Sequence, residues 1–135
     1  MGLDIGDRRI GVAISDSMGI LATPHAIIER VEESRDIGAI LDIIEQRQVE
    51  MIIAGLPLSM DGSIGPQAEK IKSFIDNLSA RTQVPVEFRD ERLSTVEARR
   101  IMLISRSKKN RQKSRDDDVA AAVILQEYLD EISRK

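Results

Sequence analysis

The sequence contains no cysteine and only one histidine, His25. A disulfide framework and a zinc site built from cysteine and histidine are therefore both excluded for this chain. Any bound metal ion must be held by oxygen atoms. Aromatic residues are also scarce, at 2% of the sequence, and tryptophan is absent. Proteins that read single-stranded nucleic acid stack bases on exposed rings. We do not expect that mode of recognition here, and we expect Phe74, Phe88 and Tyr128 to lie in the core.

Long apolar runs are missing as well. No stretch approaches the roughly 18 consecutive apolar residues that span a bilayer, and the first residues have neither the basic nor the apolar region of a signal peptide. We therefore expect a cytoplasmic protein. Its 135 residues, of which 41% are apolar and 32% are charged, are typical of one globular domain. We expect that domain to cover residues 1–135.

The apolar pattern predicts an α/β fold in which a mixed five-stranded sheet is flanked by helices. A hairpin comes first, and helices then alternate with strands, because segments of period two give way to segments of period 3.6. The segment at 50–56, which is continuously apolar from Met51 onward, is typical of a parallel strand covered on both faces. The predicted strands cover residues 2–5, 9–15, 20–28, 50–56 and 84–88. The predicted helices cover residues 34–47, 94–105 and 116–132, and another begins at Pro66.

A charged residue, Asp4, stands between Leu3 and Ile5 in the first predicted strand. Side chains alternate between the two faces of a strand, so Asp4 lies on the face opposite Leu3 and Ile5. An ionised carboxylate away from water is costly without a partner, which predicts a nearby cation or a buried base. The alternative is that Asp4 starts the turn at 6–8 and hydrogen-bonds its backbone.

Two further acidic segments follow later in the chain. Asp90 and Glu91 come directly after the fifth predicted strand, where α/β sheets collect ligand sites, although both could instead pair with neighbouring arginines at the surface. Asp116, Asp117 and Asp118 begin the last predicted helix. At roughly 100° per residue, Asp117 and Asp118 lie at the edges of its apolar side. Asp116 points away, and we assign it to helix capping.

Together these segments supply acids from the start of the chain, from a late strand end and from the start of the last helix. Clustered carboxylates repel one another, whereas Mg²⁺ and Mn²⁺ bind oxygen ligands of this kind and compensate their charge. Two such ions can activate a water molecule and stabilise the leaving oxygen in phosphodiester hydrolysis. We therefore expect Mg²⁺ or Mn²⁺ as the cofactor.

The segment RSKKNRQKSR, residues 106–115, carries six positive charges and no negative charge in a chain whose formal net charge is -3. It could be a solvated loop that only improves solubility. It leads directly into Asp117, however, and we expect it to bind phosphate groups beside the acidic residues. The basic residues expected to contact a nucleic acid are Arg8, Arg92, Lys108, Lys109, Arg111 and Lys113.

Four segments together resemble the YqgF family of pre-16S rRNA nucleases, also called Holliday-junction-resolvase-like proteins. They are GLDIGDRRIGVAISD, GLPLSMDGSIGPQA, DERLSTVEA and DDVAAAVILQEYLD, and they cover nearly the whole chain. They also occur in the order that is typical of the family. The resemblance implies a ribonuclease-H-like fold and metal-dependent cleavage of phosphodiester bonds.

By motif, the resemblance implies that Asp4, Glu91 and Asp117 are the catalytic residues and the metal ligands. The family pattern has an aspartate three residues before Ala-Ala, and this selects Asp117. The family usually has a few more residues ahead of the first strand, so we expect that strand to be short here. Resolvase-type relatives also place an acid at the end of the middle strand, where this chain has Gly55, and Glu91 is expected to substitute. Further candidate ligands are Asp61, Asp90 and Asp118.

The resemblance implies a nuclease for structured RNA that processes the 5′ end of pre-16S rRNA in ribosome biogenesis. One alternative keeps the chemistry but changes the substrate to a four-way DNA junction, as in a Holliday-junction resolvase. A non-catalytic factor that binds ribosomal precursors is a further alternative. A sugar kinase or actin-like ATPase is disfavoured, because 135 residues supply only one of the two lobes that such an enzyme needs. The sequence leaves the oligomeric state open, with a homodimer as one candidate.

Overall fold

The computed structural model describes residues 1–90 and 116–133. Within them, strands and helices follow one another as predicted, and the strands expected at 20–28 and 84–88 are each displaced by one or two residues. The strands are β1 (Gly2–Ile5), β2 (Arg9–Ser15), β3 (Ala22–Glu29), β4 (Ile52–Leu56) and β5 (Val86–Asp90). The helices are α1 (Glu33–Arg47), α2 (Pro66–Ser79) and α3 (Asp116–Ser133). The helix predicted at 94–105 lies outside the described residues.

Five strands form one sheet in this part of the chain, in the order β3-β2-β1-β4-β5. The central strand, β1, pairs antiparallel with β2 and parallel with β4. At the two sides of the sheet, β2 pairs antiparallel with β3, and β4 pairs parallel with β5. The carboxyl ends of β1, β4 and β5 therefore meet at one edge, near Ile5, Leu56 and Asp90, which we call the carboxyl edge. The predicted α/β fold with a mixed five-stranded sheet is confirmed.

The two faces of the sheet are covered by different helices. On one face, α1 and α2 enclose a core that includes Leu3 and Ile5 of β1 and Phe74 of α2. On the other face, Ile124 of α3 packs in a second core with Ile53 of β4. Burying one large apolar side chain contributes about 1.5–3 kcal/mol relative to leaving it exposed. Covering both faces with helices therefore stabilises the apolar strand β4, as its unbroken apolar run predicted.

Local sequence explains where two of the helices begin and end. Pro66 occupies the first position of α2, where its missing N–H and fixed φ are favourable. At the end of α1, Gln48 adopts the left-handed conformation with φ 51°. Its backbone N–H donates to the Glu45 carbonyl oxygen at 3.4 Å, which satisfies one of the last carbonyls of the helix. Of the helices described, none is long and apolar enough to cross a membrane.

The three aromatic residues that we expected in the core differ in burial. Phe74 is fully buried, and Tyr128 is half-buried against the core beneath α3. The prediction for Phe88 is wrong, because its side chain is 37% exposed. Phe88 belongs to β5, one of the two outermost strands of the described sheet, and an edge strand has a neighbouring strand on one side only.

Candidate active site

Asp4 lies in the central strand, next to the carboxyl edge. Its neighbours Leu3 and Ile5 are buried in the core under α1 and α2, whereas Gly2 faces α3. Because side chains alternate along a strand, Asp4 shares the α3 face with Gly2, as predicted, and it is half-buried there. Across the hairpin, Asp4 is paired with Gly11. Since Gly11 has no side chain, β2 leaves space for the carboxylate on this face.

α3 runs antiparallel to β1, so its first turn lies toward the carboxyl edge. Ala121 contacts Gly2 in the first half of the helix. Further along the helix, Gln126 is bound at the opposite edge of the sheet, where its Oε1 accepts the Ala22 N–H at 2.9 Å. Its Nε2 also donates to the Ile20 carbonyl oxygen at 2.8 Å. These two hydrogen bonds fix the direction of the helix across the sheet.

The same geometry brings the start of α3 level with Asp4. Asp117 precedes Ala121 by four residues, which is about 6 Å along a helix. Asp4 follows Gly2 by two residues, which is about 7 Å along a strand. Since Ala121 contacts Gly2 and the two elements run in opposite directions, the backbones of Asp117 and Asp4 lie at the same level of the sheet. Two of the three positions that the family motifs select therefore lie at the same level of the sheet.

The hairpin turn at 6–8 connects Asp4 to a basic residue, Arg8. The Gly6 N–H donates to the Arg9 carbonyl oxygen at 2.8 Å and closes the turn. Arg8 is exposed and lies in the turn that follows β1 at the carboxyl edge. A phosphate group brought to Asp4 would therefore lie on the side of the molecule that carries this guanidinium group.

An ion-pair cluster joins β5 to α3, and our sequence reasoning missed it. Arg89 Nη1 donates to Glu131 Oε2 at 2.6 Å, and Arg89 Nε donates to Glu127 Oε2 at 3.4 Å. The Glu127 side chain is only 10% exposed, so water screens this pair less than a surface pair. The i, i+4 spacing of Glu127 and Glu131 puts both on one side of the helix and is the signal that could have indicated a shared partner.

Two of the further candidate ligands, Asp61 and Asp90, have described side chains. Asp90 is in register with Leu56, which belongs to the core under α1 and α2. Asp90 therefore faces away from the side of the sheet that carries Asp4. Asp61 lies in the loop after β4, where its Oδ1 accepts the Ser63 N–H at 2.9 Å. The alternation of faces disfavours Asp90 as a ligand shared with Asp4, and Asp61 stabilises its own loop.

Several predicted site residues lie outside the part of the chain that the structure describes. Among the side chains that the structure describes, no group of three histidine or acidic residues could hold a metal ion. His25 lies at a bulge of β3, two strands from Asp4. Six predicted site residues lie outside the described part of the chain: Glu91, Arg92, Lys108, Lys109, Arg111 and Lys113. For Asp117 and Asp118 the structure describes the helical backbone but not the side chains.

The donor chemistry at the carboxyl edge fits a hard divalent cation. Asp4 supplies a carboxylate from the central strand, and α3 begins with three consecutive aspartates at the same level. Mg²⁺ is commonly bound by one or two protein carboxylates with water completing its coordination, and Mn²⁺ also prefers oxygen ligands. The chain contains no cysteine, so oxygen is the donor type that it offers at this edge.

A family model described as RuvX, Holliday junction resolvase, matches residues 1–131. The chain belongs to this family. A protein of Halothermothrix orenii is 49% identical over 129 residues, which cover 96% of this chain and 92% of that protein. A protein of Clostridioides difficile is 47% identical over 130 residues, which cover 96% of this chain and 92% of that protein. Both are named "Putative pre-16S rRNA nuclease". The family resemblance of the four sequence motifs is thereby confirmed.

Solved structures similar to this RuvX-family chain include two proteins in complex with Holliday junctions. RuvC of T. thermophilus in complex with a Holliday junction substrate has a TM-score of 0.58 and 13% identity, and the match covers 98% of this chain and 93% of that one. Fowlpox virus resolvase in complex with Holliday junction DNA has a TM-score of 0.57 and 14% identity. That match covers 97% of this chain and 96% of the viral one. These similarities confirm the ribonuclease-H-like fold.

Proposed function

We propose that the protein is a metal-dependent nuclease that hydrolyses phosphodiester bonds in structured nucleic acid, and that its substrate is the 5′ region of pre-16S rRNA. One observation carries the proposal: Asp4 stands half-buried on the central strand, level with the aspartates that begin α3. The names of the relatives support the RNA substrate. Such a substrate would place the protein in the cytoplasm, acting as one nuclease domain over residues 1–135.

Each part of the site has a separate task in this proposal. Asp4, Glu91 and Asp117 would hold Mg²⁺ or Mn²⁺. When bound, the metal supplies positive charge that activates the attacking water and stabilises the leaving oxygen. Asp4 holds its carboxylate from the central strand of the sheet, which limits the movement of that ligand. Arg8 and the basic segment at 106–115 bind the phosphates that flank the scissile bond, since phosphate contacts position a nucleic acid without reading its sequence.

Recognition by shape fits the aromatic residues of this chain. Phe74 is buried, and Tyr128 is half-buried against the core beneath α3, so neither is a fully exposed ring on which a base could stack. Phe88 is partly exposed, but it lies on the face of β5 opposite the α3 face. Double-stranded RNA is recognised through its shape, its phosphates and its 2′-hydroxyl groups. A structured RNA is therefore a better match than an unpaired strand.

A four-way DNA junction is the second candidate substrate. The description of the family model favours it, as does the similarity in fold to two proteins solved with Holliday junctions. Junction DNA and folded RNA both present closely spaced phosphates, and they differ in the 2′-hydroxyl group. A direct comparison of the two substrates therefore distinguishes the candidates.

The decisive experiment offers purified protein an RNA that spans the 5′ leader and the start of mature 16S rRNA, and separately a four-way DNA junction. The mature RNA without its leader and a linear DNA duplex are the matched control substrates. Each reaction contains Mg²⁺, Mn²⁺ or excess EDTA. The control protein carries Asp4→Asn, Glu91→Gln and Asp117→Asn together.

We expect cleavage of the leader RNA with Mg²⁺ or Mn²⁺, and no cleavage with EDTA or by the triple variant. Faster cleavage of the junction than of the leader RNA would favour the second candidate. Full activity in EDTA would contradict metal dependence. If the folded protein cleaved neither substrate, the proposed nuclease activity would be wrong and the non-catalytic alternative would replace it.

A further inference from the structure

Arg30 follows directly after β3 and contacts three different parts of the molecule. Its Nη1 donates to the Gly6 carbonyl oxygen at 3.0 Å, in the turn after β1. Its Nε faces Asp36 Oδ2 of α1 at 3.5 Å, and its guanidinium carbon lies 5.0 Å from the centre of the Phe74 ring of α2. The backbone N–H of Arg30 also donates to the Arg8 carbonyl oxygen at 2.9 Å. One residue thus ties the turn to both helices on that side of the sheet.

Asp36 holds Arg30 in this position. It is the one charged residue that is buried in the described part of the chain, at 2% exposed. Its Oδ1 accepts the Val31 N–H at 3.2 Å, so the carboxylate binds both the side chain of Arg30 and the backbone that follows it. A buried carboxylate is costly unless it is paired and hydrogen-bonded. The ion pair therefore holds the side chains of Arg30 and Asp36 in position.

A buried ion pair of this kind gives little net stability, because removing two charges from water offsets most of their attraction. What this pair does provide is a fixed donor for the Gly6 carbonyl oxygen. A second side-chain contact of the turn, between Asp7 and Lys70, is exposed and 3.9 Å long, and such surface pairs contribute little. Of the two side-chain contacts that the structure describes for this turn, that of Arg30 is therefore the stronger.

We propose that Arg30, held by Asp36, is a positioning residue for the active site. By fixing the turn at 6–8, it sets the end of β1 that carries Asp4 and the backbone that carries Arg8. The inference rests on the proposed nuclease function, because it assigns Arg30 to the same site. It adds that the site depends on a residue on the opposite face of the sheet, which contacts neither substrate nor metal.

The test separates positioning from stability with four variants. Arg30→Met removes the guanidinium group, and Arg30→Lys keeps the charge but removes the forked donor. The double variant Arg30→Met with Asp36→Asn removes both charges and keeps an Oδ1 acceptor for Val31. Arg9→Gln is the matched control, because it breaks an exposed ion pair with Glu29 in the neighbouring strands. For each protein we would measure kcat and KM well below its melting temperature. We would also measure amide exchange at Gly6 and Arg30, with the Ile53 amide as the core reference.

We expect Arg30→Met and the double variant to lower kcat by about tenfold or more, with a smaller change in KM, whereas Arg9→Gln retains wild-type kinetics. Exchange at Gly6 and Arg30 should become about tenfold faster while Ile53 is unchanged, because only the turn is released. Arg30→Lys should fall between Arg30→Met and wild type.

A double variant with restored melting temperature and wild-type kcat would overturn the inference, since Arg30 would then act only through stability. Equal acceleration of exchange at all three amides would overturn it as well. A wild-type protein that cleaves neither substrate would contradict the proposed function itself, and the inference with it.

Discussion

Gly2 of β1 and Ala121 of α3 are in direct contact: a methyl group built on Gly2 would lie 2.6 Å from the Ala121 carbonyl oxygen and 2.9 Å from Leu125 Cβ. Both distances are shorter than any ordinary contact of a Cβ atom. α3 therefore lies as close to the central strand as the backbone permits, and it does so two residues before Asp4. This contact sets the separation between Asp4 and the start of α3.

Replacing Gly2 with alanine is expected to push α3 away from β1. The added methyl group meets the Ala121 carbonyl oxygen and Leu125 Cβ, and neither atom is the far end of a flexible side chain. Overpacking of this kind typically costs about 1–3 kcal/mol. Chemical denaturation would show the decrease in the free energy of unfolding. Cleavage should fall further than the fraction of folded protein, because the displaced helix carries Asp117.

Gly38 of α1 provides the matched control for that substitution. Among the described atoms, a methyl group there would meet only Arg81 Nη2, at 4.0 Å. Alanine in a helix interior is favoured over glycine by roughly 0.5–1 kcal/mol. Gly38→Ala should therefore raise the free energy of unfolding and leave cleavage unchanged. Equal effects of the two substitutions would contradict the close contact of α3 with β1.

The three acids selected by the family motifs should be essential for cleavage but not for folding. Asp4→Asn, Glu91→Gln and Asp117→Asn are each expected to reduce kcat by a factor of about 100 or more, because each removes a negatively charged oxygen ligand. Melting temperatures should stay the same or rise slightly, since clustered carboxylates repel one another. Rate measurements with Mg²⁺ and thermal melts without metal would test both statements.

Asp116→Asn and Asp118→Asn are the controls for the acid series. They lie next to Asp117 at the start of α3, so they change the local charge by the same amount. We expect each to retain most of the activity. If Asp118 proved essential and Asp117 dispensable, the motif alignment would be shifted by one residue. A lower melting temperature for all of the essential acids would indicate a structural role instead.

Local patterns in the sequence were sufficient for most of the fold. The alternation around Leu3 and Ile5 placed Asp4 on the correct face, and the apolar residues within 50–56 identified a parallel strand. Such patterns depend on neighbouring residues only. Phe88 was misplaced because the exposure of a strand residue depends on whether its strand lies at the edge of the sheet, which is a property of the topology.

The polar contacts that hold the site in place could not be predicted in this way. Arg30 reaches Gly6, and Arg89 reaches Glu127 and Glu131. The partners in each contact are far apart in sequence. The sequence alone does not indicate which of the many polar groups in the chain each arginine binds. The direction of α3 also depends on such a contact, since Gln126 binds Ile20 and Ala22 across the sheet.

The turn between β2 and β3 should make stability depend on pH through Asp16. Its Oδ1 accepts the Ile20 N–H at 2.7 Å and the Leu21 N–H at 3.2 Å. These hydrogen bonds, that of Ile20 first, hold the pKa of Asp16 below its ordinary value of 3.8. Because the pKa is lowered in the folded state, the stabilisation is present above the ordinary pKa and is lost as the pH falls through the folded-state pKa.

Asp16→Asn keeps the acceptor oxygen and removes the charge, so comparison with wild type isolates this effect. We expect the variant to melt at a lower temperature than wild type at pH 7, and the difference to disappear well below pH 3.8. Asp42→Asn, at an exposed position of α1, is the control. A difference between Asp16→Asn and wild type that persisted unchanged in acid would show that the charge is not the cause.

The basic segment RSKKNRQKSR should bind substrate phosphates rather than serve solubility alone. It has no acidic residue and leads directly into α3, so whatever it binds is held beside the proposed metal site. Replacing Lys108, Lys109, Arg111 and Lys113 with glutamine should weaken binding to all sequences alike. The slope of log K against log salt should flatten by roughly 0.7 to 0.9 for each phosphate that the segment no longer neutralises. Cleavage at saturating substrate should change less than binding does.

Arg89→Gln is the control that distinguishes phosphate binding from total charge. Arg89 is already engaged by Glu127 and Glu131, so removing its charge should leave the salt slope unchanged. Binding would be measured across a salt series with an Asp4→Asn background, which prevents cleavage during the titration. If the plots of log K against log salt were superimposable with and without the four glutamine substitutions, the segment would serve solubility only. An equal flattening by Arg89→Gln would show that net charge, and not direct binding of phosphate, governs the slope.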